Sequence, residues 1–348
     1  MLQALYRDRG RSRADLAREL GLSRVTISEV VADLLDEQLV IELGTRADSR
    51  PGKPATMLDV NRQGHSIIGL DLSSSGSFVG VVTDLDGVVV ARAEVDIPQA
   101  SGDAAVGAVE TLLQDLVALA PRPVLGVGVG TPGIVDDRGV VVSAPNLGWR
   151  DVPLQERLIA VCGLPVAIAN DANAALVGEH SFGQGRPDTI LVRIGRGVGS
   201  GLMIDGRVVG GGRHAAGEIG HVVVGTDEGE PCACGNRGCL ETWLAMPRIE
   251  AHLAEPGADP DAVLAEAGRR LGIVLAPIVS ALNLAEVVLA GPNADISAPL
   301  LAAVESTVRD RTLADTHGDL RLRLTELGRD LVALGAVVLV LRGRLGVA

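Results

Sequence analysis

The stretch of sequence that decides the fold runs from residue 191 to residue 241 and reads LVRIGRGVGSGLMIDGRVVGGGRHAAGEIGHVVVGTDEGEPCACGNRGCLE. It begins as a predicted strand and continues through a glycine-rich turn to a cluster of cysteines. A glycine-rich turn after a strand lets backbone amides approach a phosphate group, but such turns are also common in ordinary hairpins. This turn becomes informative because Glu218, His221 and then the cysteines follow it.

The cysteine cluster predicts a metal site. Three of the four cysteines lie within eight residues, and with His221 they form the pattern His-x10-Cys-x-Cys-x4-Cys. In a cytosolic protein such a cluster binds a metal more often than it forms disulfides, although reduced, unligated thiols are the alternative. Three thiolates and one imidazole complete a tetrahedral Zn²⁺ site with no position open to water, so the predicted zinc is structural. The predicted ligands are His221, Cys232, Cys234 and Cys239, and the remaining Cys162 is predicted to lie in the core.

The same stretch resembles the ROK family, which comprises repressors, open reading frames and sugar kinases. In that family the signature glycines are followed by Glu-x-Gly-His and by Cys-x-Cys-Gly-x-x-Gly-Cys-x-Glu, which here spans Cys232 to Glu241. The resemblance covers essentially the whole chain and includes Asn170-Asp171 in its middle. It implies an α/β actin-like (ribonuclease H-like) two-lobed sugar-kinase fold with the sugar in the cleft.

The resemblance also implies a set of sugar-binding residues. Asn170 and Asp171 match the pair that holds sugar hydroxyls, and in the kinases this Asp is the catalytic base. The alternative for these two residues is a helix N-cap pair. A pocket of carboxylates and amides strongly rejects analogues that lack a hydroxyl. One nitrogen of His221 would bind zinc and the other would face the sugar. The implied sugar-binding residues are Gly133, Asn146, Asn170, Asp171, Glu218, His221 and Glu241.

The N-terminal part of the chain carries the pattern of short helices. Ser12 can cap a helix over Arg13–Leu20, and Ser23 can cap a second helix over Val25–Leu35, with Gly21 in the turn between them. Two short helices joined in this way indicate a helix-turn-helix, and the alternative is a helical hairpin used for dimerisation. The resemblance assigns such a domain to the repressors of the family and not to its plain kinases.

These helices are followed by a predicted strand over Gln38–Leu43 and by a basic turn or linker over residues 46–54. This order is that of a winged helix-turn-helix. We therefore predict an N-terminal all-α winged helix-turn-helix domain over residues 1–62. Small polar and basic side chains at the start of its second helix suit contacts with phosphates and base edges of double-stranded DNA. The candidate DNA-binding residues are Ser23, Arg24, Thr26, Ser28, Arg50 and Lys53.

The charge distribution is compatible with this division. The formal net charge is −13, which by itself argues against nucleic-acid binding. Residues 1–62 nevertheless contain ten Lys/Arg and ten Asp/Glu, so the whole excess of negative charge lies outside them. A neutral head on an acidic body is compatible with a head that binds DNA and a body that does not.

The remainder of the chain alternates strands and helices, which indicates an α/β architecture. We predict a small lobe over residues 63–170, completed by a C-terminal helix over 331–348, and a large lobe with the zinc loop over 171–330. Four arginines within the first 13 residues argue against a signal peptide. No uncharged stretch reaches the roughly 18–20 residues of a membrane span, so we expect a soluble cytoplasmic protein with no membrane partner.

The nucleotide-binding elements depart from the kinase pattern in three places. The first phosphate loop of the kinases reads Asp-x-Gly-Gly-Thr-Lys, whereas residues 71–76 read Asp-Leu-Ser-Ser-Ser-Gly. Arg196 replaces a threonine between two glycines, and residues 290–292 read Ala-Gly-Pro in place of a Gly-Gly pair. The added side chains crowd loops whose backbone must approach phosphate closely. ATP and Mg²⁺ are therefore not expected.

These observations favour a sugar-responsive transcriptional regulator, a repressor that binds a palindromic operator as a homodimer or homotetramer. The second interpretation is an ATP-dependent sugar kinase with an appended DNA-binding head, in which Asp171 would be catalytic. In a third, the regulator binds a phosphorylated sugar through Arg196 or Arg213, or binds a partner protein. The sequence defines neither the sugar nor the operator.

Overall fold

The computed structural model describes residues 1–45, 55–74, 76–97, 101–225, 229–291 and 297–347. Its N-terminal part, the head, contains three short helices and a small antiparallel sheet of order β1-β3-β2. Ser12 caps the second helix in a capping box with Asp15, and Ser23 caps the third helix by accepting a hydrogen bond from the amide of Thr26. The elements of the head are α1 (Leu2–Arg7), β1 (Arg11–Ser12), α2 (Arg13–Leu20), α3 (Arg24–Asp36), β2 (Val40–Thr45) and β3 (Thr56–Val60).

The prediction of an all-α head is wrong. Strand β3 pairs with β2 on one side and with β1 on the other, and both pairings are antiparallel. The two predicted helices are present, and the predicted strand over Gln38–Leu43 corresponds to β2, displaced by two residues. The sheet forms because alternate apolar side chains, Val40 and Leu58 among them, complete the core under the helices. Residues 46–54, and with them Arg50 and Lys53, lie outside the described residues.

A five-stranded sheet of order β11-β7-β4-β5-β6 follows the head; we call it the first sheet. Strands β4, β7 and β11 are parallel, and β5 and β6 extend the sheet as antiparallel strands. Two helices cover one face of this sheet, and a small antiparallel sheet borders it. The elements are β4 (Ser66–Asp71), β5 (Ser77–Thr83), β6 (Val89–Asp96), α4 (Asp103–Leu119), β7 (Val124–Thr131), β8 (Ile134–Val135), β9 (Val141–Ala144), β10 (Trp149–Val152), α5 (Leu154–Cys162) and β11 (Val166–Asn170).

The second five-stranded sheet has the order β14-β13-β12-β15-β16. Its strands β12, β15 and β16 are parallel, so their carboxyl ends meet at one edge. The elements are α6 (Asp171–Phe182), β12 (Thr189–Ile194), β13 (Val198–Ile204), β14 (Arg207–Val208), α7 (Glu241–Leu244), α8 (Met246–Leu253), α9 (Pro260–Leu282), β15 (Glu286–Ala290), α10 (Ser297–Arg311), α11 (Ala314–His317), β16 (Arg321–Leu324) and α12 (Leu331–Val340).

Helices α6 and α12 pack against each other and connect the two sheets. Helix α12 is buried along nearly all of its length and contacts β4, β7 and β11 of the first sheet. Its continuation, Leu341–Leu345, reaches the core of the head. Cys162, predicted to lie in the core, is half-buried at the end of α5 and packs against the edge of the core of the first sheet. Among the described residues, no helix is long and apolar enough to cross a membrane.

Candidate functional site

A cleft of about 690 Å³ lies between the carboxyl ends of the two sheets. Ser73 and Gly133 line it from the first sheet, and the glycine-rich turn around Arg196 lines it from the second. All seven residues that the family resemblance assigns to sugar binding lie in the wall of this cleft. The structure therefore brings together side chains that are more than 100 positions apart in the sequence.

Asn170 is held at the bottom of the cleft by its own helix. Its side-chain oxygen accepts hydrogen bonds from the amides of Ala172 and Asn173, so it is the N-cap of α6. Its amide nitrogen donates to the carbonyl of Gly133 at 2.9 Å. A Cβ atom at Gly133 would lie 2.0 Å from the carbonyl oxygen of Ser143, so only glycine fits there. The N-cap interpretation of Asn170 thus holds alongside its place in the cleft.

Asp171 forms an ion pair that sequence reasoning missed. Its Oδ2 lies 2.6 Å from Nη1 of Arg193, on β12, and its Oδ1 accepts a hydrogen bond from the amide of Ala172. Burial raises the pKa of Asp171, and the Arg193 guanidinium opposes that rise. The available signal was a lone arginine within the apolar strand LVRI, directly before the glycine-rich turn.

The two glutamates of the cleft lie beside the cysteine cluster. Glu218 Oε2 is 4.0 Å from Nε2 of His221, and burial raises the pKa of Glu218. Glu241 begins α7, and its Oε2 accepts a hydrogen bond from the amide of Val198 at 3.1 Å. Glu241 therefore links the cysteine loop to the glycine-rich turn.

The four predicted metal ligands converge. One atom from each of His221, Cys232, Cys234 and Cys239 can be chosen so that all lie within 4.8 Å of one another. The Cys234 and Cys239 sulfurs are 3.7 Å apart, and the Cys232 sulfur is 3.6 Å from Nδ1 of His221. Ligands about 2.0–2.3 Å from a tetrahedral ion are separated by roughly this distance. The cluster can hold a metal ion through Nδ1, which leaves Nε2 of His221 facing Glu218.

Helix α3 presents the candidate DNA-contacting residues of the head. Ser23, Arg24, Thr26 and Ser28 are all exposed. Their hydroxyls already form local bonds: Ser23 with Thr26 at 2.9 Å, and Ser28 to the carbonyl of Arg24 at 2.8 Å. Sequence reasoning did not select Val25, which is 67% exposed between them. The available signal was a β-branched residue between Arg24 and Thr26, at the first position of the predicted helix Val25–Leu35.

The structure describes only some of the residues at which the nucleotide-binding loops depart from the kinase pattern. Ser73 and Arg196 line the cleft, whereas Arg213 is exposed and lies outside the lining. The side chain of Ser73 hydrogen-bonds to Asp71 and to Arg193. Ser75 and Pro292 lie outside the described residues.

The fold and the cleft define a class of protein: a kinase-like two-sheet body carrying an N-terminal head. Residues 67–343 match the model of the ROK family, and this chain belongs to that family. The match begins after the head.

Full-length relatives include regulators. The xylose repressor of Bacillus subtilis is 28% identical over 359 residues, which cover 96% of this chain and 92% of the repressor. A crystal structure of a ROK family transcriptional regulator, a homologue of the Escherichia coli Mlc protein, superposes with a TM-score of 0.84 and 25% identity, covering 97% of this chain and 93% of that one. A ROK glucokinase from Streptomyces griseus, solved with glucose and AMPPNP, superposes with a TM-score of 0.69 and 26% identity over 79% of this chain and 98% of that one.

Proposed function

We propose that this protein is a sugar-responsive, DNA-binding transcriptional repressor that acts in the cytoplasm. The observation that carries the proposal is the union, in one chain, of a head in which α2 and α3 are joined by a tight turn at Gly21 and a cleft lined by carboxylate and amide side chains. The likeness to a xylose repressor and to a ROK transcriptional regulator supports it, because both likenesses extend over nearly the whole chain.

In this proposal the head is a winged helix-turn-helix and α3 is the helix that enters the major groove. The exposed face of α3 begins with Arg24 and continues through Val25 and Ser28. Two such heads in a symmetric dimer, or in a tetramer, would contact the half-sites of a palindromic operator about one helical turn apart, or a multiple of that. The basic turn or linker that the sequence predicts over residues 46–54 would add Arg50 and Lys53.

The sugar is proposed to bind in the cleft. Asn170 and Asp171, at the junction of β11 and α6, offer acceptors and donors to neighbouring hydroxyls. Glu218, His221 and Glu241, which lie beside the cysteine cluster, do so from the other side of the cleft. Such a site spans two separately packed sheets, so a bound sugar favours the arrangement of the sheets to which it binds more tightly. Because the head shares a core with the first sheet, it moves with that sheet.

The cysteine cluster is proposed to hold a structural Zn²⁺. The ion would fix the loop that carries Cys232 and Cys234 and would orient His221 towards the cleft. The donor set favours zinc because three thiolates and one imidazole are soft and borderline ligands in a tetrahedral arrangement.

The first experiment is selection of bound duplexes from a random DNA pool by the purified, zinc-loaded protein. Enrichment of a palindromic site, followed by release of that site on addition of one sugar from a panel of free sugars, is expected. Arg24→Ala should weaken binding to the enriched site, whereas Arg309→Ala, an exposed arginine on α10, removes the same charge without effect. Absence of any enriched site with a folded protein would overturn the proposal.

The zinc assignment has its own test. Cys234→Ser should lower the zinc content and abolish the response to sugar, because the loop beside the cleft loses its anchor. Cys162→Ser, which changes the remaining cysteine, is the matched control and should leave both properties intact. Normal zinc content and normal response in Cys234→Ser would show that the cluster is not the zinc site.

A sugar kinase with an appended head is the second candidate, favoured by the position of Asp171 in the cleft and by the likeness to a glucokinase. It predicts release of ADP when ATP and a hexose are added, and loss of that release in Asp171→Asn. The ion pair of Asp171 with Arg193 speaks against this chemistry, because the guanidinium engages Oδ2 and the amide of Ala172 engages Oδ1 of the carboxylate that would have to accept the proton.

A regulator that responds to a phosphorylated sugar is the third candidate, and Arg196 in the cleft wall is the observation in its favour. Arg196→Ala would then lower the response to a sugar phosphate and leave the response to the free sugar unchanged. Arg213→Ala is the control, since Arg213 lies outside the cleft lining.

A further inference from the structure

One arginine connects the two halves of the cleft. The guanidinium of Arg193 donates from Nη1 to Asp171 and from Nη2 to the hydroxyl of Ser73, each at 2.6 Å. Ser73 in turn donates from its hydroxyl and from its amide to the same oxygen, Oδ1 of Asp71. A continuous chain of hydrogen bonds therefore runs from Asp71 through Ser73 and Arg193 to Asp171.

The two carboxylates at the ends of this chain lie at one edge of the first sheet. Asp71 is the last residue of β4, Asp171 directly follows β11, and the parallel strand β7 lies between the two. Asp171 is buried and Asp71 is half-buried, and the charge of Asp71 acts on Asp171. Two neighbouring carboxylates in such a place require a cation if both are ionised.

In nucleotide-binding sites, the cation bound by neighbouring carboxylates is usually a divalent metal ion. Mg²⁺ requires six oxygen ligands in near-ideal octahedral geometry. Three of the four oxygens of these two carboxylates are already engaged in hydrogen bonds. Oδ2 of Asp171 is bound by Arg193, its Oδ1 by the amide of Ala172, and Oδ1 of Asp71 by both donors of Ser73. The guanidinium would also repel a second cation. The residues present do not fit a metal ion at this position.

We propose that Arg193 is a built-in cation that takes the place of a divalent metal ion between Asp71 and Asp171. Ser73, one of the serines that depart from the kinase pattern, bridges the arginine and the second carboxylate. Its hydroxyl accepts a hydrogen bond from Arg193 and donates one to Asp71. This inference deepens the proposed function, on which it rests, because it explains how the cleft keeps a kinase-like aspartate and binds a ligand without a metal–nucleotide complex. Arg193 is thus a positioning residue that holds Asp171 as an acceptor for the sugar.

The test uses thermal unfolding of the full chain in millimolar MgCl₂ and in NaCl of equal ionic strength. The unsubstituted protein should melt at the same temperature in both solutions. Arg193→Met, which keeps the apolar stem and removes the charge, should melt about 5 °C lower in NaCl. MgCl₂ should restore at least half of that loss, since the ion then occupies the place of the guanidinium.

A double variant separates charge from packing. Arg193→Met with Asp171→Asn removes one carboxylate together with the cation, so it should be more stable than Arg193→Met in NaCl and should not respond to MgCl₂. If Arg193→Met does not fold, the double variant should still fold. Failure of both to fold, magnesium-dependent melting of the unsubstituted protein, or an Arg193→Met protein indifferent to MgCl₂ would each overturn the inference. These measurements involve neither DNA nor sugar, so failure of this inference can be distinguished from failure of the proposed function.

Discussion

At the scale of single residues, Tyr6 lies where the head contacts the body, so its ionisation can be used to follow that contact. It is the only tyrosine of the chain. Its hydroxyl donates to the carbonyl of Leu85 at 2.7 Å, and the guanidinium of Arg62 lies 4.8 Å from its ring centre. Burial, together with the charge of Asp86, raises the pKa of Tyr6 to about 12. The phenol group is therefore neutral while the head is docked.

We expect the tyrosinate absorbance of the folded protein to remain absent through pH 10 and to appear as the pH approaches about 12. The pKa in the folded state lies above that in the unfolded state, about 10. The stabilisation from Tyr6 is thus fully present below pH about 10 and is lost as the pH rises through about 12. Denatured protein should titrate near pH 10. A midpoint near 10 in the folded protein would show that the head is not docked in solution.

At the scale of elements, helix α12 lies against α6 with almost no space between the two backbones. A Cβ atom at Gly335 would lie 1.8 Å from the carbonyl oxygen of Ala174. Gly335 is fully enclosed, whereas Gly343 in the continuation of the same helix has open space around its Cα. These two glycines therefore differ in environment and not in chemistry.

Gly335→Ala should destabilise the protein by about 3 kcal/mol, because the methyl group must push α6 and α12 apart. Chemical denaturation with equilibrium fluorescence measures the loss. Gly343→Ala should have no cost and gains slightly from the better helix propensity of alanine. Equal stability of the two variants would show that the contact between the helices is looser than described.

Strand β16 supplies a second comparison. The Arg323 guanidinium forms ion pairs with Glu179 and Glu286, whose side chains are 1% and 0% exposed. Arg323→Met should cost about 3–5 kcal/mol, since two buried carboxylates lose their cation. Arg321→Met, two residues away on the same strand, should cost less than about 1 kcal/mol, because that arginine is 41% exposed and 3.7 Å from Glu286. Denaturant unfolding of the two variants checks the difference, and a small loss for Arg323→Met would contradict it.

What could be read from the sequence depends on how local the signal is. The metal cluster and the N-caps of α2 and α3 were predicted because their partners lie within a few residues or within one loop. Arg193 was missed because it is an isolated charge in an apolar strand, and Arg323 because it alternates with leucine and Arg321 as an exposed strand residue would. The partners of both arginines lie elsewhere in the chain. The strands of the head were undervalued because β1 has only two residues and becomes a strand only by pairing with β3.

At the scale of the whole molecule, the head does not have a core of its own. Its apolar cluster joins Leu16 and Ile27 of the head to Ile67 of the first sheet and to Leu341 and Val347 beyond α12. All five side chains are almost completely buried. The head and the first sheet are therefore expected to behave as one unit.

We expect a single unfolding transition for the head and the body. Fluorescence of Trp149 and Trp243 reports on the body, and hydrogen exchange in α2 reports on the head. Leu341→Ala should lower stability by about 2–5 kcal/mol and should expose amides of α2, although it lies outside the head. Leu313→Ala, at a position 73% exposed, is the control. Earlier unfolding of the head in the unsubstituted protein would contradict this expectation.

The shared core also has a consequence for biosynthesis. Residues 1–60 leave the ribosome first, but Leu341 and Val347, which complete their core, are translated only after both sheets. At about 5–20 residues per second, synthesis of Leu341 follows that of residue 60 after an interval on the order of tens of seconds. A nascent or prematurely terminated chain therefore lacks a stable head, so the proposed contact with an operator requires a chain whose translation has reached the last residues of this core.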